Sequence, residues 1–228
     1  MIEFKNVSKR FYPNNTVLDK VSFTINQGEF VYLIGPSGVG KTTILNLLIC
    51  QMKPSAGKIL YRGHPIHNFS GRQIAFLRRE IRIVFQDFKI LFERTVLENV
   101  MLSLYILGKS KNEAESEARK VLKLVGLDDK RSLFPVQISA GELQRVAIAR
   151  AIAGDSKILL ADEPTGNLDP DTGSEIIKLL EEINSQGTTV IVTTHNESLV
   201  DKAKKRVIEI RNGKIARDEK QGGYHGSS

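Results

Sequence analysis

Residues 35–43, "GPSGVGKTT", limit this chain more than any other stretch. They fit the pattern G-x-x-x-x-G-K-[ST] and stand between "FVYLIG", a continuous apolar run that reads as a buried strand, and "KTTILNLLIC", which reads as a helix. Gly35, Gly38 and Gly40 let a loop curl and turn its backbone N–H groups inward, and the helix behind it aims its positive end at the same point. Lys41 adds a full positive charge. Gly35, Pro36, Ser37, Gly38, Val39, Gly40, Lys41, Thr42 and Thr43 together form a candidate cradle for the phosphates of a nucleotide, with the Thr42 hydroxyl offered to Mg2+. A glycine-rich turn that merely starts a helix has no need of Lys41 and Thr42 directly after Gly40.

A second stretch belongs with the first. "ILLADEP" is a buried strand that delivers Asp162 and Glu163 at its C-terminal end, the edge at which open parallel sheets bind ligands. Side chains alternate along a strand, so Asp162 can face a metal through its water shell while Glu163 can polarise an attacking water. Read alone, two acids ending a strand are surface residues; beside a phosphate loop they are a candidate site. His195 follows "TTVIVTT" and could reach the terminal phosphate from the neighbouring strand, although an isolated histidine is more often structural.

Alternating polar and apolar residues in the first thirty positions read as short antiparallel strands turning at "YPNN". "GKILYRG" reads as a further strand followed by a polar link. Helical periodicity dominates from about residue 90 to residue 155, including "KNEAESEARKVLKLVGL", and suggests a helical insert. "KILLAD" and "TTVIVTTH" return as continuous apolar strands around the helix "DTGSEIIKLLEEINSQG", which Gly187 stops. Strand, helix and strand in succession imply a parallel sheet covered on both faces. With 41% apolar and 26% charged residues the chain has the balance of one compact unit.

No stretch reaches the roughly eighteen apolar residues of a membrane span, and the N-terminus lacks the layout of a secretory signal, so a cytosolic protein is expected. The lone Cys50 reads as a small core residue of an apolar helix and forbids a disulfide framework. The net charge of +7 calls for an anionic partner, but Lys and Arg are interspersed with Asp and Glu, and no nucleic-acid-binding signature is present. ATP phosphates or anionic lipid head groups account for the charge equally well.

"ISAGELQRVAIARA" places Ser139 and Glu142 in the S-x-x-E spacing of a capping box. The helix after it puts Leu143, Val146 and Ala147 on one face and leaves Gln144, Arg145 and Arg150 largely off it, the pattern of an amphipathic helix packed on a core. Taken with the phosphate loop and "ADEP", this stretch resembles the signature sequence of the nucleotide-binding subunits of ABC transporters, and the resemblance covers roughly residues 1–219.

It implies an α/β fold of the P-loop NTPase, ABC-type ATPase class, with a parallel core sheet, a small antiparallel β subdomain and a helical subdomain. The single domain, residues 1–219, would comprise a catalytic core (about 1–86 and 156–219) and a helical subdomain (about 87–155), with residues 220–228 a flexible tail. The resemblance further implies ATP hydrolysis with Mg2+, and a homodimer that forms head to tail on ATP binding. Ser139, Gly141 and the helix start of one copy would close over the terminal phosphate held by residues 35–43 of the other. By the same resemblance Gln86, in "IVFQDFKIL", joins the metal and water network to the helical insert, Asp169, in "GNLDP", crosses the dimer interface, and Phe11 stacks on adenine where the family usually has Tyr. Plainer readings stand beside these: a surface glutamine after a strand, an Asp-Pro turn, and Tyr12 in place of Phe11.

The signature departs from the family at Ala140, which replaces the first of two glycines. A negative φ there would accommodate Ala; a positive one would cost about 1 kcal/mol or more. Within the family, "RREIRIVFQDFKIL", "TVLENV", "ADEPTGNLDP" and "INSQGTTVIVTTHN" look most like the cell-division ATPases. Those features imply a bacterial protein on the inner face of the cell membrane, whose dimer closure pulls on a membrane subunit and so activates peptidoglycan hydrolases outside. The alternative is the ATPase of a lipoprotein-release or macrolide-efflux transporter, which shares "ADEPTGNLD". Soluble relatives acting on DNA or ribosomes carry coiled-coil insertions or two cassettes, and neither is in this sequence. A surface coupling to the membrane subunit is expected between Gln86 and Leu97, where Phe88, Ile90, Leu91 and Phe92 crowd together.

Overall fold

The structure is a computed structural model and describes residues 1–13 and 15–224. Two sheets organise it. In the first, β1 (Ile2–Phe11) and β2 (Asn15–Ile25) pair antiparallel, and β4 (Ala56–Tyr61) with the short β5 (His64–Pro65) extends the sheet in the order β2-β1-β4-β5. These first two strands are long rather than short; Asn14, in the expected turn, lies outside the described residues.

The second sheet contains β3 (Phe30–Ile34), β6 (Ile81–Val84), β7 (Ile158–Asp162), β8 (Thr189–Thr193), β9 (Arg206–Arg211) and β10 (Lys214–Glu219), in the order β10-β9-β3-β8-β7-β6. Every neighbouring pair is parallel except β9 with β10. Alternation explains why its strands read as unbroken apolar runs. Phe30, Tyr32 and Ile34 of β3 face one core with Leu159, Ala161, Val190 and Val192. Val31 and Leu33 face a second core with Ile158, Leu160 and Ile191.

Helices cover both faces. Ile44, Leu45, Leu47 and Leu48 of α1 (Lys41–Leu48) join the second core, beneath the antiparallel sheet. The first core is filled from α3 (Val96–Ile106), α4 (Lys111–Leu124), α5 (Ala140–Ile152) and α6 (Pro170–Ser185), with Leu199 and Val200 of α7 (Glu197–Ala203). The first three of these helices lie between β6 and β7 in the chain, so the whole insert leaves from and returns to adjacent strands.

Three expectations are corrected. The polar link after β4 contains α2 (Gly71–Glu80), whose start is braced by Ser70 N–H donating to Gln73 Oε1 at 2.9 Å. It buries only Leu77 of its ten residues, so it carries little apolar signal. Cys50 is not in a helix: α1 ends at Leu48, and Cys50 has a left-handed backbone with φ 52°. The C-terminal tail is held as far as Tyr224, since Gly222 N–H donates to Lys205 O at 3.1 Å and Tyr224 N–H to Asp201 Oδ1 at 2.6 Å. Residues 225–228 of that expected tail lie outside the described residues. Among the described residues, no helix is long and apolar enough to cross a membrane.

Candidate functional site

Three adjacent strands, β3, β8 and β7, end at the same edge of the parallel sheet and deliver the site. The phosphate loop follows β3. Gly35, Gly38 and Gly40 have φ of 141°, 76° and 113°, and a Cβ on Gly35 would sit 2.3 Å from Ile210 O, so β9 closes on the loop and only glycine fits. Gly40 has no side chain with which to cap α1, and the first turn of α1 holds no acid. Its opening N–H groups are therefore left to an anionic ligand. Lys41 is buried, with Nζ 2.8 Å from Gly35 O, 3.3 Å from Pro36 O and 3.6 Å from Glu163 Oε1.

β7 ends at Asp162, and Glu163 follows it directly. Buried Asp162 accepts from Thr42 Oγ1 at 3.1 Å and from Thr193 Oγ1 at 2.7 Å, which ties the start of α1 to the ends of β7 and β8. A hydroxyl and a carboxylate in contact are a hard, oxygen-only donor set. No group of three or more His, Cys, Asp or Glu suited to a metal occurs among the described residues. The oxygen pair of Thr42 and Asp162 fits Mg2+, which takes few protein ligands and keeps waters.

Glu163 has φ 48°, unusual for a residue with a side chain. Its N–H donates to Thr193 O at 3.1 Å and to Thr193 Oγ1 at 3.0 Å, and these bonds hold a conformation that costs on the order of 1 kcal/mol. The carboxylate lies between two cations or potential cations: Lys41 on one side, and on the other His195, whose Nδ1 is 2.9 Å from Oε2. An ionised carboxylate only accepts, so Nδ1 carries the proton of that contact. Thr193 was not among the expected site residues; its only signal in the sequence is a hydroxyl ending an apolar strand.

Gln86, just beyond β6, is exposed, and its side-chain amide faces the turn after Glu163, where a Cβ on Gly166 would lie 3.2 Å from Nε2. Gln86 O accepts from Asn167 Nδ2 at 3.2 Å. Asp169 caps α6, accepting from Asp171 N–H at 3.1 Å and Thr172 N–H at 3.0 Å; the bonds from Thr172 are the main cause of a carboxyl held below its ordinary range. Phe11 ends β1, partly exposed, with Lys9 Nζ 5.1 Å from its ring centre, and Tyr12 beside it is almost fully exposed.

The expected capping box is formed: Glu142 N–H donates to Ser139 Oγ at 3.3 Å, and Ser139 N–H to Glu142 Oε2 at 2.9 Å. Glu142 also pairs with Lys130, the largest cause of its lowered pKa, followed by its bond from Ser139. Ala140 opens α5 and is not among the residues with positive φ, so the departure from glycine is accommodated. Gly141 is buried, and a Cβ there would lie 2.4 Å from Thr172 Cγ2 of α6, a packing role its sequence context did not reveal. The facing of α5 needs one correction. Gln144, expected off the apolar face, is fully buried, and neither of its amide atoms has a hydrogen-bond partner among the described residues. Arg150 instead reaches back to Phe88 O at 2.9 Å and to Lys89 O at 2.5 Å.

Residues 88–92 divide: Ile90 is buried and Phe88 packs on the core, while Leu91 and Phe92 are exposed. Phe76, Leu102, Tyr105 and Ile106 are exposed as well. Asn99 fixes the loop at Leu91, exchanging bonds of 2.9 Å with both Leu91 N–H and Leu91 O. A cavity of about 590 Å³ lies against residues 35–39, walled by residues 15–17, the turn at residues 211–213, Glu209 and Tyr224.

Known proteins share this arrangement over nearly the whole chain. A family described as ABC transporter matches residues 18–166. Curated relatives named cell division ATP-binding protein FtsE include one from Bacillus subtilis, 48% identical over 98% of each chain. Those from Mycobacterium tuberculosis (43% identical, 98% of each chain) and Escherichia coli (42% identical, 94% of this chain and 97% of that one) are similar in the same way. Among solved structures, the dimeric ATP-binding cassette MJ0796, in a post-hydrolysis state bound to ADP and Pi, has a TM-score of 0.87 at 36% identity and covers 98% of this chain and 100% of its own. CbiO1 from Clostridium perfringens, part of the ABC transporter complex cbiONQ, has a TM-score of 0.89 at 29% identity, covering 96% of this chain and 88% of that one. With the phosphate loop, the paired acids and the capped signature helix held on one two-sheet scaffold, the chain belongs to the ABC transporter family.

Proposed function

We propose that this chain is the ATP-binding and hydrolysing subunit of a bacterial cell-division complex, acting on the inner face of the cell membrane. The observation that carries the reading is full-length similarity to FtsE proteins combined with a phosphate loop whose Thr42 contacts Asp162 and whose Lys41 contacts Glu163, itself bonded to His195. ATP binds through the N–H groups opening α1 and through Lys41. Thr42, Asp162 and Gln86 would hold Mg2+, which would supply charge neutralisation at the phosphates. Glu163 takes a proton from the attacking water, and His195, bonded to that carboxylate, keeps it oriented. Phe11 stacks on the base.

A second copy completes the site by bringing Ser139, Gly141 and the start of α5 to the terminal phosphate, and Asp169 to the interface. That the ATP-binding cassette MJ0796 is dimeric supports a reading with two copies. The partner that takes up the motion is an FtsX-like membrane protein, linked indirectly to peptidoglycan hydrolases. Its docking site lies between Gln86 and Leu97, where Leu91 and Phe92 are exposed. Replacing Leu91 and Phe92 with Ser should abolish co-purification with an FtsX-like protein while the isolated chain still binds ATP. Full retention of the partner overturns the docking site, and capture of a lipoprotein-release permease instead overturns the cell-division reading.

A further inference from the structure

The C-terminal segment makes more contacts than a chain end needs, and they form a continuous path. Glu209 of β9 lies in register with Ile34, the residue before Gly35, and is buried. Its carboxylate is bonded by Arg217 Nε at 2.7 Å and by Arg211. The Nη2 of Arg217 then donates to Gly223 O at 2.8 Å and to Tyr224 O. Tyr224 N–H donates in turn to Asp201 Oδ1 in α7, and a Cβ on Gly223 would lie 2.7 Å from that same oxygen. α7 starts directly after His195, with Asn196 capping it by accepting from Leu199 N–H at 3.3 Å.

The Tyr224 ring packs against the first core, which contains Leu199, Val200 and Val207, and it walls the cavity beside residues 35–39. Burial holds its phenol above the ordinary tyrosine range, and the Glu197, Glu209 and Glu163 carboxylates add to the shift. The segment is thus bonded to α7 directly and, through Arg217, to Glu209 of β9 beside the phosphate loop.

We propose that residues 222–224 are a strap that fixes α7, and through it His195, against the phosphate loop, making Asp201 and Tyr224 positioning residues for ATP hydrolysis. The inference rests on the hydrolytic roles proposed above for Glu163 and His195. The strap touches the strand beneath the loop and the helix behind the histidine. Its loss therefore relaxes the alignment of His195 without removing any group that holds phosphate, and a misplacement of about 1 Å is enough to slow a reaction markedly.

The test compares the full chain with a chain ending at Gly222, with Asp201→Ala and with Asp201→Asn, which keeps the accepting oxygen. Steady-state ATP hydrolysis and thermal unfolding are measured for each, with His195→Ala alongside. The truncated chain and Asp201→Ala should lose kcat by about tenfold with KM for ATP within about twofold, and Asp201→Asn should recover most of the rate. Unchanged or increased kcat in the truncated chain overturns the strap, the increase marking a cover instead. So does a parallel loss of kcat, KM and thermal midpoint that Asn does not rescue. If His195→Ala itself hydrolyses normally, the catalytic assignment has failed and the strap falls with it; if it is inactive while truncation is silent, the strap alone has failed.

Discussion

The helix starts at Lys41 and at Ala140, given the same task in the function proposed above, are built in opposite ways. At Lys41 the capping position is Gly40, no acid stands in the first turn, and the surroundings are buried and crosslinked by Thr42, Asp162 and Thr193. At Ala140 the cap is a full box, Glu142 places a carboxylate in the first turn, and Ser139 and Ala140 are exposed. A capping side chain stabilises a helix by about 1 kcal/mol and occupies donors that a ligand would otherwise use. α1 therefore forgoes the stabilisation of a cap and leaves its opening N–H groups available, while the start of α5 is braced by its own side chains and has fewer donors to offer. Pairing Glu142 with Lys130 offsets the charge that would otherwise repel an anion. One start is a binding site within its own chain, and the other is a rigid face that works only when brought to something.

That contrast can be broken from either side. Glu163→Gln should produce the largest effect, a loss of hydrolysis of about 10²–10⁴-fold with ATP binding kept, read as ATP-stabilised dimers in size-exclusion chromatography. Normal turnover in that variant would remove Glu163 from the chemistry. Lys41→Ala should weaken ATP binding by about 10–100-fold in a direct titration of the single chain, whereas Ser139→Ala should leave that titration unchanged. Equal losses from both would mean that the two starts do not divide the work.

On the signature side the expected effects are smaller. Gly141→Ala should destabilise the chain by about 1–3 kcal/mol through the contact with Thr172, and adding Thr172→Ser should restore most of it in thermal unfolding. Ala140→Gly should leave dimerisation and turnover as they are, since the backbone of α5 already suits Ala. It should lower stability by about 0.5–1 kcal/mol. A gain in ATP-dependent dimerisation would show that the Cβ of Ala140 crowds the closed form.

The Lys41 start and its acids were legible in the sequence because glycine spacing and apolar strands are local signals, each tied to one backbone requirement. The start of α5 was legible as a capping box for the same reason. What escaped depended on contacts between distant segments. Gln144 looked like a surface residue because polarity is a poor guide where the neighbours of a helix cover it on more than one side. Thr193 and Thr172 carry almost no pattern; each matters through atoms placed against residues from another segment. α2 was hidden by its charge, since a helix that buries a single leucine has almost no apolar period to read. The strap at residues 222–224 is rich in glycine, which in a sequence suggests looseness, whereas Gly223 here permits close approach to Asp201.

The contacts of Lys41 have a consequence for occupancy. Its ammonium already has two carbonyl oxygens and the Glu163 carboxylate around it, so an incoming phosphate competes for a cation with a ligand tethered in the same chain. The measured affinity for ATP is then a difference between two sets of attractions, and the weaker the tethered competitor, the tighter the nucleotide. On the role proposed for it, Glu163 then sets the residence of ATP as well as its fate: a neutral side chain at that position should slow hydrolysis and, independently, hold the nucleotide longer.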